Sequence, residues 1–225
     1  MSAPSRAEVA GLATRIDDDF RAFVDDAGFP CLAGKGVVHR DSYGLGVYGA
    51  LGARTRRLAH DLAAFAASTP AGSLAAFVAV FPRRAPADEA SFERRLWRQL
   101  DRLHADDAPG AGWDPHVSDD PADPRFAFSF AGCAMFVVGL HPHSSRQARR
   151  FAWPALVFNP HAQFERLRAE GRFERLRAMV REREIALQGS INPNLADFGE
   201  KSEARQYSGR ETPADWRCPF HVRHP

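Results

Sequence analysis

Three apolar runs lie close together in the middle of the chain, and two of them have clear strand patterns. Residues 126–130 alternate phenylalanine with alanine or serine, and this period of two is typical of a strand. Residues 135–140 form a continuous, short and partly β-branched run, which suits a strand buried on both faces. The connection at 131–133 is too short for a parallel crossover, so we expect these two strands to pair antiparallel.

Similar patterns predict the rest of the fold. The predicted sheet contains residues 74–81, 126–131, 134–140 and 155–159. Helices are predicted from a capping-box pattern at Ser5 and Glu8 to near Gly28, and over 54–67, 91–104 and 161–187, with a break at Gly171. These elements predict an α/β or α+β fold, in which a single domain spanning residues 1–225 has a mixed β-sheet packed by helices.

Two segments lack a regular pattern. Residues 29–52 hold six glycines, and we expect a glycine-rich surface loop there, with Lys35 as a candidate contact for an anion. The spacing of the glycines matches neither a P-loop nor a dinucleotide fingerprint. The C-terminal segment from Ser190 is irregular but rich in aromatic residues, which disordered tails seldom keep. We expect this segment to be ordered, to pack over the body and to cover a pocket.

Composition narrows the class of protein. The chain has 225 residues, 44% hydrophobic and 26% charged, as in ordinary soluble domains. A net charge of +2 is too small to indicate nucleic-acid binding by itself. No run approaches the ~18 apolar residues of a membrane span. The N-terminus lacks the apolar core of a signal peptide, and the three cysteines are scattered, so we expect a cytoplasmic protein.

Polar residues begin abruptly where the run 135–140 ends, with the sequence HPHSSR at 141–146. Ligands of α/β sheets collect at strand ends, so we expect a site there. The chain has no HExxH, GxSxG or CxxC motif, which leaves zinc and serine hydrolases unsupported. A haem needs an axial ligand, an apolar slot and cations for its propionates. This region offers all three, in the residues His141, His143, Trp153, Arg146, Arg149 and Arg150.

Longer motifs narrow the interpretation further. The stretches LHPHSSRQARRF, LVFNPHAQFERLR, NPNLADFGEKSEARQYSGR and WRCPF, together with FPCLAGKG near the N-terminus, resemble the YqcI/YcgG family over roughly residues 20–220. Members of this family include haem-dependent N-oxygenases of natural-product pathways. They oxidise guanidine or amine nitrogens, as on arginine, the guanitoxin precursor or the amine of azomycin biosynthesis. The resemblance therefore implies a monooxygenase with haem b iron as its cofactor.

The resemblance also implies roles for individual residues. His141 is expected to be the axial metal ligand and the catalytic residue, with His143, Cys218 and Cys31 as alternatives. Further contacts to the cofactor or substrate are expected from Ser145, Arg146, Arg149, His161, Lys201, Arg205 and Tyr207. Structural alternatives stay open, namely a buried histidine, a salt bridge from Arg146 to a helix carboxylate, a helix-capping role for His161, and a solvated loop for the tail residues.

The implied substrate is a small guanidine or amine, such as arginine, a cyclic guanidine or 2-aminoimidazole, oxidised with O2. Electrons are expected from a ferredoxin and its reductase. Asp197, Glu200 and Glu203 lie in the tail where they would receive a cation. We expect no nucleic-acid or membrane partner, and a homodimer is compatible with the sequence. The alternatives are a non-catalytic haem or small-molecule binding protein and a purely structural α/β protein.

Overall fold

The computed structural model describes residues 6–107 and 111–222, so Ser5 of the predicted capping box lies outside the described residues. The helices are α1 (Arg6–Asp25), α2 (Leu32–His39), α3 (Arg56–Ser68), α4 (Glu89–Asp106), α5 (His161–Ala169), α6 (Phe173–Gln188) and α7 (Ala204–Tyr207). The strands are β1 (Tyr43–Val47), β2 (Ala76–Val80), β3 (Phe128–Phe130), β4 (Cys133–Leu140) and β5 (Ala155–Pro160). A short 3-10 turn covers Gln147–Arg149.

The strands form one mixed sheet in the order β1-β2-β5-β4-β3. β1 and β2 run parallel, while β2–β5, β5–β4 and β4–β3 pair antiparallel. The predicted antiparallel pairing of the two central runs is confirmed. Ala131 and Gly132 connect them with φ of 52° and 71°, as in the primed turns that match the twist of a β-hairpin.

Helices cover both faces of the sheet, which confirms the predicted α/β architecture. The first core joins one face to α3, α4 and the C-terminal segment, and it includes Met135 and Val137. The second core joins the other face to α1 and α2, and it includes Leu140 and Val157. Successive side chains of β4 therefore reach opposite cores, as expected for a strand buried on both faces.

The prediction of a glycine-rich surface loop at 29–52 is wrong, because α2 and β1 form there. Gly44 lies so close to Phe77 on β2 that a Cβ atom would be 3.0 Å from the ring. This glycine is therefore a close-packing position within a strand. Lys35, the candidate contact for an anion, donates from its Nζ to the carbonyl oxygens of Asp25 and Asp26 at the end of α1, and its contact with an anion stays a prediction.

The C-terminal segment is ordered and packs on the first core, as predicted. Tyr207 and Phe220 are fully buried there, and both rings lie against Trp97 of α4. The break at Gly171 is confirmed as well, since it separates α5 from α6 with a φ of 66°. Among the described helices, none has the length and apolar content needed to cross a bilayer.

Candidate functional site

A cavity of about 270 Å³ lies on the second-core face of the sheet, between β4, β5, α2 and α6. We call it the central cavity. Its wall from β4 consists of Phe136, Val138 and Leu140, which share one face of the strand because their spacing is two. Other apolar wall residues are Val24, Val37, Leu74, Val157, Phe164 and Val180. The cavity approaches the lower end of the range of about 300–1,000 Å³ for small-molecule sites.

A thiol and a guanidinium group interrupt this apolar wall. Cys31 precedes α2 as its N-cap residue, and its Sγ accepts a hydrogen bond from the backbone N–H of Gly34 at 3.3 Å. Burial raises the pKa of the Cys31 thiol, although the N–H groups of Gly34 and Ala33 and the charge of Arg149 act in the opposite direction. Cys31 is therefore a neutral thiol, because the effect of burial exceeds the opposing effects of these groups.

Arg149 contributes the guanidinium group and also anchors the C-terminal segment. It donates to the carbonyl oxygens of Gly139 and Tyr207, both at 3.2 Å, and of Gln206 at 3.1 Å. Burial lowers the pKa of Arg149 to about 10, which still leaves it protonated at neutral pH. These partners are neutral carbonyl groups, so the positive charge is available to an anionic group in the cavity.

Arg146 also reaches the central cavity, but its charge is already neutralised. Its guanidinium lies 2.6 Å from Oε1 of Glu184 on α6 and donates to both the hydroxyl and the carbonyl oxygen of Ser190. Both charged side chains are buried. The structure thus has the salt bridge to a helix carboxylate that the sequence left open, and this pair ties the loop after β4 to α6.

A second pocket of about 220 Å³ adjoins the central cavity, and we call it the side compartment. The two share Cys31, Phe136 and Gln206 among their walls. His161 and Glu203 lie in the side compartment, and Nε2 of the histidine is 3.0 Å from Oε2 of the carboxylate. Three arginines also line it, namely Arg168, Arg177 and Arg181.

His141 lies on the opposite face of the sheet from the central cavity. Its ring is fully buried and stacks on Phe92 of α4, with 4.2 Å between ring centroids. Both ring nitrogens are buried without a hydrogen-bond partner among the described residues. Burial lowers the pKa of His141 to about 4, so the imidazole is neutral at pH 7. The role of His141 as axial ligand stays a prediction, and its ring is not part of the cavity wall.

The other predicted site residues are spread over the surface and the first core. Ser145 donates from its backbone N–H and its hydroxyl to Glu89 at the start of α4, and His143 is exposed. Lys201, Arg205 and Cys218 line a separate groove beside the loop at 120–124. The hydroxyl of Tyr207 accepts the N–H of Phe128 inside the first core. The structure therefore places Cys31, Arg146 and Arg149 at the central cavity and His161 in the adjoining side compartment.

Some polar residues of the central cavity were missed from the sequence, namely Asn159, Gln163, Glu184, Asn192 and Gln206. Asn159 and Gln163 lie in the motif at 156–168, and Asn192 and Gln206 lie in the motif at 192–210, whereas Glu184 lies outside the quoted motifs. Cys31 was identified from the motif FPCLAGKG as an alternative ligand. In the described ranges 6–107 and 111–222, no cluster of three or more His, Cys, Asp or Glu side chains is placed to hold a metal ion.

The fold and the central cavity define a single-domain α/β protein with a largely apolar cavity beside its sheet. The YqcI/YcgG family model matches residues 20–221, so the chain belongs to the YqcI/YcgG family. It is 28% identical over 207 residues to the uncharacterized protein YqcI of Bacillus subtilis (strain 168), a match that covers 85% of this chain and 80% of that protein. No solved structure matches the chain.

Proposed function

We propose that this protein is a haem-dependent N-oxygenase that oxidises the nitrogen of a small guanidine or amine. The observation that carries the proposal is the central cavity, whose largely apolar wall holds the thiol of Cys31 and the cation of Arg149, which donates to backbone carbonyl groups within the described residues. Haem b requires a ligand to its iron, which a cysteine thiolate can supply, together with an apolar slot and a cation for a propionate. Membership of the YqcI/YcgG family supports the same function through the activities known among its members.

The geometry supports Cys31, more strongly than the expected His141, as the residue that would hold the haem iron. Cys31 lines the cavity, whereas the ring of His141 packs on Phe92 across the sheet. A bound metal deprotonates a coordinating thiol, which would overcome the raised pKa of Cys31. The N–H of Gly34 would then donate to a thiolate, which is a stronger hydrogen bond than one to a neutral thiol.

When bound, haem would supply oxygen activation, and the residues of this chain would supply ligation, orientation and water exclusion. The overall reaction takes one O2, two electrons and two protons. One oxygen atom is inserted into an N–H bond of the substrate, and the other leaves as water. Arg149 would pair with a propionate, and the apolar side chains of β4 and α2 would keep water from the reacting nitrogen.

The electrons would come from a ferredoxin and its reductase, as in the sequence-based expectation. The net charge of +2 would favour association with an acidic carrier. Cys31, Cys133 and Cys218 are all free thiols, which suits a reducing cytoplasm. We propose a cytoplasmic location and, from the family resemblance, a role in natural-product biosynthesis.

The test is the Soret absorption of the purified, haem-supplemented protein and of three variants. Cys31→Ser is expected to lose haem or shift the band, because the thiolate is gone. Cys133→Ser is the matched control, since Cys133 lies at the start of β4 away from the cavity, and it is expected to keep the wild-type spectrum. His141→Ala is expected to keep it as well, provided that circular dichroism shows a folded protein.

Three results would change the conclusion. Loss of the Soret band in His141→Ala, with a normal spectrum in Cys31→Ser, would restore His141 as the ligand. A wild-type protein that binds no haem would refute the proposal. A protein that binds haem but yields no N-oxidised product from arginine, 2-aminoimidazole or a cyclic guanidine, with reduced ferredoxin and O2, would be a haem-binding protein.

A further inference from the structure

The large apolar side chains that remain exposed are concentrated on and just after α6. Met179 and Ile185 are 40% and 48% exposed, and Ile191, shortly after the helix, is 37% exposed. Among the described residues, these three are the large hydrophobic side chains that stay open to solvent. The other side of α6 packs mainly on α2, α5 and the 3-10 turn, and it contributes Val180 and Glu184 to the wall of the central cavity. The helix therefore has one covered face and one open face.

The open face of α6 is a continuous stripe along the helix. Its exposed residues recur at intervals of three or four positions, the spacing that puts side chains on one side of an α-helix. This stripe, which we call the outer α6 face, consists of Arg175, Ala178, Met179, Glu182, Ile185 and Ala186. Paired helices contact each other through seams of this spacing. The outer α6 face therefore has the pattern of a surface that packs on another helix.

Two charged residues of the outer α6 face, Arg175 and Glu182, have no ion pair within the described part of the chain. The other charged side chains of α6 all have partners. Glu174 and Arg177 pair with each other, Arg181 with Asp197, and Glu184 with Arg146, while Arg183 donates to the carbonyl oxygens of Ala27 and Phe29. Arg175 and Glu182 are seven positions apart, so they lie on the same side of the helix and about 10.5 Å apart along its axis.

We propose that the outer α6 face binds the same face of a second copy of this chain. The two helices would run antiparallel, related by a two-fold axis between Ala178 and Met179. An axis at this point places Arg175 opposite Glu182 of the second copy, and by symmetry it forms the same pair a second time. Between the two ion pairs, Ala178 would allow a close approach of the helices and Met179 would fill the remaining space.

The charges select this register over the alternatives. A two-fold axis at Glu182 would bring the two copies of its carboxylate together, and a parallel pairing would place Arg175 opposite Arg175, which is repulsive in both cases. In the proposed register, Ile185 would lie over the turn between α5 and α6 of the second copy, where the space around Gly171 is open. The covered side of α6 lines the central cavity, so association would also steady that wall.

The test is sedimentation velocity of the purified protein over a range of concentrations. One helix face is smaller than the about 800 Å² per partner of a standard interface, so we expect a reversible dimer with a Kd in roughly the micromolar range. Between about 1 and 500 μM, the wild-type protein is expected to shift from the 24.9 kDa mass of one chain toward twice that mass. A wild-type protein that stays monomeric overturns the inference and leaves the outer α6 face to a different protein.

Reversal of the two charges tests whether they oppose each other. Arg175→Glu and Glu182→Arg are each expected to weaken the dimer about tenfold or more, because each change places like charges together at both symmetry-related positions. The double variant with both changes is expected to return to within about threefold of the wild-type Kd, since the two charges are then exchanged. A double variant that is no tighter than the single variants overturns the register, and single variants that associate like the wild type overturn the surface.

A matched control is Arg98→Glu, which makes the same change of charge on the exposed side of α4, across the sheet from α6. It is expected to keep the wild-type Kd, and a loss as large as that of Arg175→Glu overturns the assignment to α6. Met179→Asp is expected to weaken the dimer about tenfold, because it places two carboxylates beside the two-fold axis, and unchanged association overturns the position of that axis.

Salt provides a measurement that needs no variant. The wild-type Kd is expected to rise severalfold between about 0.05 M and 0.5 M salt, because screening weakens the two ion pairs. A Kd that does not change with salt overturns the role of the charges. Circular dichroism melting shows whether each variant folds, and the wild-type series and the salt series decide the outcome for any variant that does not.

Discussion

Removal of a single hydroxyl group tests how the C-terminal segment is held against the sheet. Tyr207 ends α7 and is fully buried in the first core. Its hydroxyl accepts the backbone N–H of Phe128 at 2.9 Å and lies 3.4 Å from the carbonyl oxygen of Met135. Phe128 and Met135 are paired across β3 and β4, so the hydroxyl bridges the two strands.

The free-energy cost of Tyr207→Phe comes from the hydrogen bonds that the hydroxyl group makes. The ring would keep its stacking on Trp97, at 5.7 Å between centroids, so little apolar burial changes. Two hydrogen bonds of the hydroxyl, one from the N–H of Phe128 and one to the carbonyl oxygen of Met135, would be lost at about 0.5–1.5 kcal/mol each, so the unfolding free energy is expected to fall by about 1–3 kcal/mol. For a chain of this size, a loss of about 2 kcal/mol lowers Tm by roughly 4–8 °C.

The assay is thermal and urea denaturation followed by circular dichroism, with Tyr43→Phe as the matched control. The hydroxyl of Tyr43 donates to Asp17, a partly exposed carboxylate that also pairs with Arg21. Its removal is expected to cost less, because water and Arg21 still satisfy Asp17. Amide hydrogen exchange at Phe128 is expected to accelerate in Tyr207→Phe. The reasoning is refuted if Tyr207→Phe melts within about 1 °C of the wild type or costs no more than Tyr43→Phe.

Two further predictions concern β4 and its end. Gly139→Ala is expected to destabilise the protein by about 1–3 kcal/mol or more, because the new Cβ would lie 2.8 Å from the carbonyl oxygen of Tyr207. The control in the same denaturation assay is Gly49→Ala, since no atom lies within 4 Å of a Cβ added at Gly49. The pKa of His141 is about 4 when folded and about 6.5 in an unfolded chain, so its contribution to stability is present above pH 6.5 and is lost as pH falls toward 4. His141→Leu is expected to lose this part of the pH dependence, since the neighbouring charged groups Glu89 and His143 are the same in both proteins; identical pH profiles would contradict the assignment.

Local patterns were sufficient for most of the sheet and helices, and they failed at residues 29–52. Alternation at 126–130 and the short connection after it determined the hairpin of β3 and β4, because side-chain period and loop length are local properties. The glycines of 29–52 instead reflect tertiary contacts. Gly44 lies in β1 opposite Phe77 of the neighbouring strand, whose ring leaves little room for a side chain at position 44. Intrinsic propensity cannot report a neighbour that is 33 positions away in the chain.

For the candidate site, the sequence by itself determined which residues could bind a cofactor or substrate. The tertiary structure decided which of those residues lie at the same cavity. Cys31, Arg149 and His161 were all candidates from sequence motifs, yet the packing of α2 and the C-terminal segment against β4 brings them to adjoining pockets. His141 and Leu140 are neighbours in the sequence but reach opposite faces of the sheet, since side chains alternate along a strand. A motif identifies a polar residue at a strand end, but the elements that pack on each face decide which cavity it meets.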